Sequence, residues 1–187
     1  RRYLQKFQIK DVVFLAIMSA VALTTCAVMP LVISLQPLIF GISQLVTALQ
    51  IGVFFAIGLY KVRKPGSLLI MALMMGLIQL MMSPPMFLSS VLNGILIELI
   101  VLLLFRGYER DAAVFVAAML HTPLSLPFNY LYNRLVKGAD SPLAAVADRA
   151  PLAAVGMTLA VVAVSALGAL IGIKIAKELK KSGVLKK

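Results

Sequence analysis

The sequence predicts an all-α, polytopic membrane protein: six transmembrane helices, both termini on the cytoplasmic side, and one integral-membrane domain over residues 1–187. Two observations carry this prediction. Six apolar stretches, at about 12–34, 37–60, 67–83, 86–105, 112–133 and 150–173, each approach the ~20 residues needed to cross a bilayer's hydrocarbon core. Lys and Arg also concentrate in alternate connectors. One set holds Arg1, Arg2, Lys6 and Lys10, then Lys61, Arg63 and Lys64, then Arg106 and Arg110, then Lys174, Lys177, Lys180, Lys181, Lys186 and Lys187. Of the 18 basic residues only Arg134, Lys137 and Arg149 fall in the other set. Cytoplasmic loops retain Lys and Arg, so the rich set lies inside.

Taken in order, residues 1–10 alternate basic and apolar side chains and are expected along the inner membrane surface, with Asp11 opening helix one. Helix one is expected to end near Pro30 and helix two to begin around Gln36-Pro37, joined by an outer loop of a few residues. This first span is long and lacks a small-residue cleavage site, so it reads as retained and not as a signal peptide. Pro65 and Gly66 follow the basic turn that starts at Lys61, and Pro65 suits the first position of helix three. Ser83-Pro84-Pro85 breaks the chain at the outer face, and helix four returns to an inner turn at 106–110. Pro123 and Pro127 are expected to kink or open helix five. Residues 133–149 form the longest outer connector, readable either as a gate or as a passive link. Helix six leads into a basic amphipathic tail, Lys174 to Lys187.

With 61% hydrophobic residues, little chain remains for a separate soluble domain. The net charge of +11 sits beside the membrane, where topology and anionic lipid account for it without nucleic acid. Cys26 is alone, so neither a disulfide framework nor a thiolate metal cluster is expected, and no cofactor is implied. A phosphate-binding GxxxxGK[ST] loop is missing, as are GxSxG and HExxH motifs. The chain therefore neither hydrolyses ATP itself nor resembles a membrane hydrolase.

Polar side chains within lipid are costly unless they meet a partner or a cavity. Glu98, deep in helix four, is the sharpest such residue, readable as a protonated acid, a partner of His121 or a counter-charge for a cationic ligand. Gln36, Gln44, Gln79, Asn93, Asn129, Tyr130 and Asn133 fall in the outer halves of their spans, with Gln50 and His121 nearer the middle. Their shared depth implies a pocket loaded from outside. Gly94 lies four residues before Glu98 and is expected to open space beside the carboxylate. Tyr130, Tyr132 and Phe128 offer rings for stacking. Gly168 and Gly172 form a GxxxG expected to pack inside the bundle. Ala16 and Ala20 make a small-residue stripe on helix one, suited to close approach by another helix.

At this point the chain resembles a substrate-binding S component of the energy-coupling factor (ECF) vitamin transporters over nearly its full length. The resemblance rests on helix one's opening from Lys10 to Ala20, the turn Val62 to Gly66, Asn93-Gly94 followed by Glu98, and the ending from Lys177 to Leu185. These features are similar to the thiamine- and hydroxymethylpyrimidine-related branch. The resemblance implies that Ala16 and Ala20 dock on a transmembrane T subunit. It implies that two cytoplasmic ATPases drive release inward, and that the chain topples within the plasma membrane to deliver a water-soluble vitamin or precursor captured outside. Glu98, Asn93, Gln79, Asn129, Tyr130, His121 and Gln44 are the candidate substrate contacts. Two other readings stay open from the residues: a membrane enzyme acting on a lipid or prenyl substrate with Glu98 and His121 as acid and base, and a free-standing proton-coupled carrier.

Overall fold

A computed structural model describes residues 6–26, 28, 31–32, 34–138 and 140–185. Residues 1–5 of the expected surface segment 1–10, the helix end at Pro30 and the basic pair Lys186 and Lys187 lie outside the described residues. Seven helices are present among those described: α1 (Ile9–Thr24), α2 (Ile42–Lys61), α3 (Ser67–Leu80), α4 (Pro84–Phe105), α5 (Asp111–Val136), α6 (Pro142–Arg149) and α7 (Pro151–Lys181). Four of them, α2, α4, α5 and α7, are long and apolar enough to cross a membrane. The remaining expected spans are shorter: α1 has 16 residues and α3 has 14. At a rise of about 1.5 Å per residue, α3 covers only about 21 Å.

Local chemistry explains the ends. Asp11 sits at the third position of α1, where its carboxylate accepts the Gln8 N–H at 3.1 Å, so the helix opens two residues before it. α1 stops at Thr24, well before Pro30, and the described residues from 25 to 40 are turns apart from 31–32. The link between α1 and α2 is therefore much longer than the few residues expected. Pro37 supplies no amide to a helix, and Gly41, at φ 76°, takes the left-handed position before α2. Pro84 and Pro85 occupy the first turn of α4, where their missing N–H groups cost nothing.

α5 runs unbroken through Pro123 and Pro127, against the expected opening. Pro123 has no N–H for the Met119 carbonyl, and the Ser165 hydroxyl of α7 donates to that carbonyl instead, at 2.8 Å. The connector after α5 is not loop throughout but folds into α6. α7 continues without interruption from its apolar part into the basic tail.

α2 and α5 lie at the centre of the bundle: α2 packs on α1, α5 and α7, and α5 also packs on α4 and α7. α3 completes the ring between α1 and α4. The α2–α7 contact is made by glycine. A Cβ at Gly172 would lie 2.4 Å from the Val53 carbonyl oxygen, and one at Gly168 would lie 2.6 Å from that of Leu49. The GxxxG thus packs inside the bundle, as expected. Gly94 does the same for α3 and α4, since its Cβ would meet that of Ala72 at 2.6 Å. It admits a neighbouring helix and does not make room beside Glu98. Around this core the outward faces stay apolar, with Leu103 81%, Leu152 88% and Leu159 64% exposed, as a lipid-facing surface requires.

The basic segments meet at one end. Arg63 and Lys177 both pair with Asp111, at 2.6 and 2.7 Å, and Lys64 pairs with Asp11 at 2.6 Å. Lys61 lies 4.0 Å from the centre of the Phe14 ring. The N-terminal segment, the α2–α3 turn, the start of α5 and the end of α7 are thereby joined.

Candidate functional site

Toward the other end of the bundle, the N-terminal part of α2, the C-terminal part of α3, the N-terminal half of α4 and the C-terminal half of α5 surround a cavity of about 430 Å³. α2 contributes Ser43, Gln44 and Thr47; α3 contributes Met75 and Gln79; α4 contributes Ser89, Ser90 and Asn93. From α5 come His121, Thr122, Ser125, Asn129, Tyr132 and Asn133, with Lys137 just beyond its end. Gln36 reaches in from the segment between α1 and α2, and Leu143 from α6.

The helical repeat explains why these residues converge. Thr122, Ser125, Asn129 and Asn133 follow one another at three- and four-residue steps, which places them along one face of α5. Ser89 and Asn93 share a face of α4 in the same way, as do Ser43 and Thr47 on α2.

Part of the wall is held by bonds within the protein. Gln36 donates to the Ser43 hydroxyl, which donates to Gln44 Oε1 at 2.8 Å. Asn133 donates to the Asn129 carbonyl at 2.8 Å and accepts from Ser141 at 3.0 Å, tying α5 to the start of α6. Other polar groups are left open. Gln79 and Asn93 make no side-chain hydrogen bond among the described residues. His121 is 6% exposed with neither ring nitrogen bonded, and Thr122 is 3% exposed with its hydroxyl unpaired. The imidazole lies 4.5 Å from the Phe55 ring, centre to centre, which fixes its position without satisfying its nitrogens.

Five of the seven expected substrate contacts line this cavity: Gln44, Gln79, Asn93, His121 and Asn129. Glu98 does not. Its Oε1 accepts the Gly66 N–H at 2.6 Å and its Oε2 accepts the Tyr108 hydroxyl at 2.8 Å. The carboxylate, 6% exposed, thus joins α4 to the turns before α3 and before α5. Burial, reinforced by the adjacent carboxylate, pushes the Tyr108 phenol well above its usual range, so it remains the donor. Glu98 finds its partners toward the basic end because it lies five residues, about 7.5 Å, beyond Asn93 along α4. It does not pair with His121.

Tyr130 is also outside the cavity: its hydroxyl donates to Asp148 at 2.7 Å and accepts from Arg134 at 3.0 Å, and Arg134 itself pairs with Asp148. The ring that does reach the cavity is Tyr132, stacked on Phe128 at 6.4 Å. Sequence reasoning passed over Ser43, Thr47, Ser89, Ser90, Thr122 and Ser125. The three- and four-residue spacing of Ser89 and Ser90 to Asn93, of Thr122 to Ser125 and on to Asn129, and of Ser43 to Thr47 was the signal that could have found them. On α1, Ala16 and Ala20 are half-buried beside the exposed Val13 and Ile17, on a side turned away from the core residues Leu15, Ser19 and Ala22.

The fold has a solved counterpart. A crystal structure described as an S-component of an ECF transporter superposes with a TM-score of 0.65, covering 96% of this chain and 89% of the other at 22% identity. Among curated proteins none matches. A family profile described as "Hypothetical bacterial integral membrane protein (Trep_Strep)" matches residues 9–181. That match spans all seven helices, and with four apolar helices of spanning length the chain is a multi-pass protein of the cell membrane and belongs to the Trep_Strep family.

Proposed function

We propose that this protein is the substrate-binding subunit of an ECF-type importer, capturing a small water-soluble nutrient from outside and passing it inward with a T subunit and two ATPases. The observation that carries the reading is the cavity, whose unpaired His121, Thr122, Gln79 and Asn93 are donors and acceptors with nothing to bind in the protein. The likeness of fold supports it over nearly the whole chain. In this reading the chain crosses the bilayer six times with both ends inside, α1 and α3 being short spans. The basic end faces the cytoplasm, as retained Lys and Arg require, and the cavity opens outward.

Gln44, Gln79, Asn93, His121 and Asn129 are the ligand contacts, with Tyr132 as the ring available for stacking. Ala16 and Ala20 form the T-subunit docking stripe. The nutrient is a vitamin or vitamin precursor. Of the two narrower candidates, thiamine and its pyrimidine moiety, the second is the better match, because the one buried carboxylate expected to face a cation is engaged by Gly66 and Tyr108. Glu98 and His121 do not meet, so the acid–base pair of the membrane-enzyme alternative has no geometric support.

The test is a titration of purified protein in detergent. Asn93→Leu, which removes an unpaired amide and keeps the volume, is expected to weaken binding at least tenfold, about 1.4 kcal/mol. Unchanged affinity would remove α4 from the site.

A further inference from the structure

The cavity is rich in amides and hydroxyls and poor in charge. Its described lining includes no carboxylate, and Lys137 is its one formally charged side chain. Lys137 is exposed beyond the end of α5, so its ammonium stands in water at the rim. The acids of adjoining segments lie outside the lining. Asp148 is paired with Arg134, Asp140 is exposed in the connector before α6, and Glu98 is bonded to Gly66 and Tyr108.

Two physical costs then decide what fits. A buried ion without a counter-charge is expensive, and a cation entering this cavity meets none. An anion meets only Lys137, whose field is screened over about 8 Å of saline water at the rim. Neutral groups suffer neither penalty. At the inner wall, a neutral imidazole has one donor and one acceptor, and the Thr122 hydroxyl adds one of each. Unmade bonds in a desolvated wall are costly, so a ligand that completes them gains affinity and specificity together.

From these observations we infer that the ligand is an uncharged molecule rich in hydrogen-bonding groups. It presents a donor–acceptor edge to His121 and Thr122 and is bordered by the amides of Gln44, Gln79 and Asn93. The inference rests on the substrate-binding reading above and narrows its ligand class.

The test is mass-spectrometric identification of whatever small molecule stays with the purified protein, followed by titration of the released compound and, as a cationic and a neutral probe, of thiamine and hydroxymethylpyrimidine at pH near 7.5. The retained compound is expected to be neutral, and hydroxymethylpyrimidine to compete better than thiamine. Raising salt about tenfold should change affinity less than about twofold, since no ion pair is screened. Lys137→Gln should likewise stay within about twofold, whereas the near-isosteric Thr122→Val and, separately, His121→Phe should each weaken binding about tenfold. A charged retained compound, tighter binding of thiamine, or a salt-dependent loss in Lys137→Gln would overturn the inference while leaving a binding subunit in place. Full affinity in both Thr122→Val and His121→Phe would overturn it too. A wild-type protein that retains nothing and binds none of a set of water-soluble vitamins and precursors would defeat the substrate-binding reading itself.

Discussion

Glu98 shows how far a single residue can be read from sequence. A carboxylate deep in an apolar helix announces that it has a partner, and that much was legible. The partners were not, because one is a backbone N–H at Gly66, 32 positions away, and a backbone donor leaves no mark in side-chain composition. Gly66 is marked only by its φ of 92°, which its lack of a Cβ permits. The consequence is specific. Glu98→Gln is expected to leave ligand affinity within about twofold yet to lower stability by about 1–3 kcal/mol, because the amide has one oxygen to offer where the carboxyl group accepts from both Gly66 and Tyr108. Tyr108→Phe should destabilise in the same direction and by less, about 1 kcal/mol, since the carboxylate keeps its bond to Gly66. Thermal unfolding in detergent, paired with a binding titration, checks both. His121 was legible as a polar group at mid-depth, but its two unbonded nitrogens became visible only once α2 and α5 were packed.

Among the elements, hydropathy located the long helices well and the short ones poorly. Residues 37–40 read as the start of a helix because hydropathy does not distinguish a turn made of Leu, Ile and Phe from a helix made of them. Pro37 and Gly41 were the clues that the chain turns there. α6 was missed because its eight residues sit in a connector rich in turn formers, although Pro142 at its first turn is an ordinary helix opening. The α2–α7 crossing was legible from spacing, since Gly168 and Gly172 share a face. Gly172→Leu is expected to cost about 3 kcal/mol or more, because the added side chain starts where the Val53 carbonyl oxygen already stands. Gly156, which has open space around it, should tolerate the same change with little loss, and the pair measured side by side in detergent unfolding separates packing from helix propensity. For α1, bulky residues at Ala16 and Ala20 should abolish uptake in cells while ligand binding by the purified chain is retained. Loss of both activities, or of neither, would contradict the docking role.

At the scale of the molecule, the alternation of Lys and Arg foretold which connectors come together. The pairs Lys64–Asp11, Arg63–Asp111 and Lys177–Asp111 join the segments that the charge pattern grouped. It also foretold that polar side chains would gather away from that end, which they do for Gln44, Gln79, Asn93, His121 and Asn129. The placement across the membrane makes a testable statement. In a Cys26→Ala background, Lys137→Cys should react with a membrane-impermeant maleimide on intact cells, and Lys64→Cys only after permeabilisation. The reverse pattern would invert the protein.

The central claim is that the cavity between α2, α3, α4 and α5 holds the nutrient. An experimental structure of the purified chain with its retained compound tests it most directly. The predicted result is one small molecule per chain within hydrogen-bonding distance of His121, Thr122 and Asn93, with Glu98 still bonded to Gly66 and Tyr108. A compound bound at the basic end against Glu98, or a cavity filled only by a lipid chain, would contradict it.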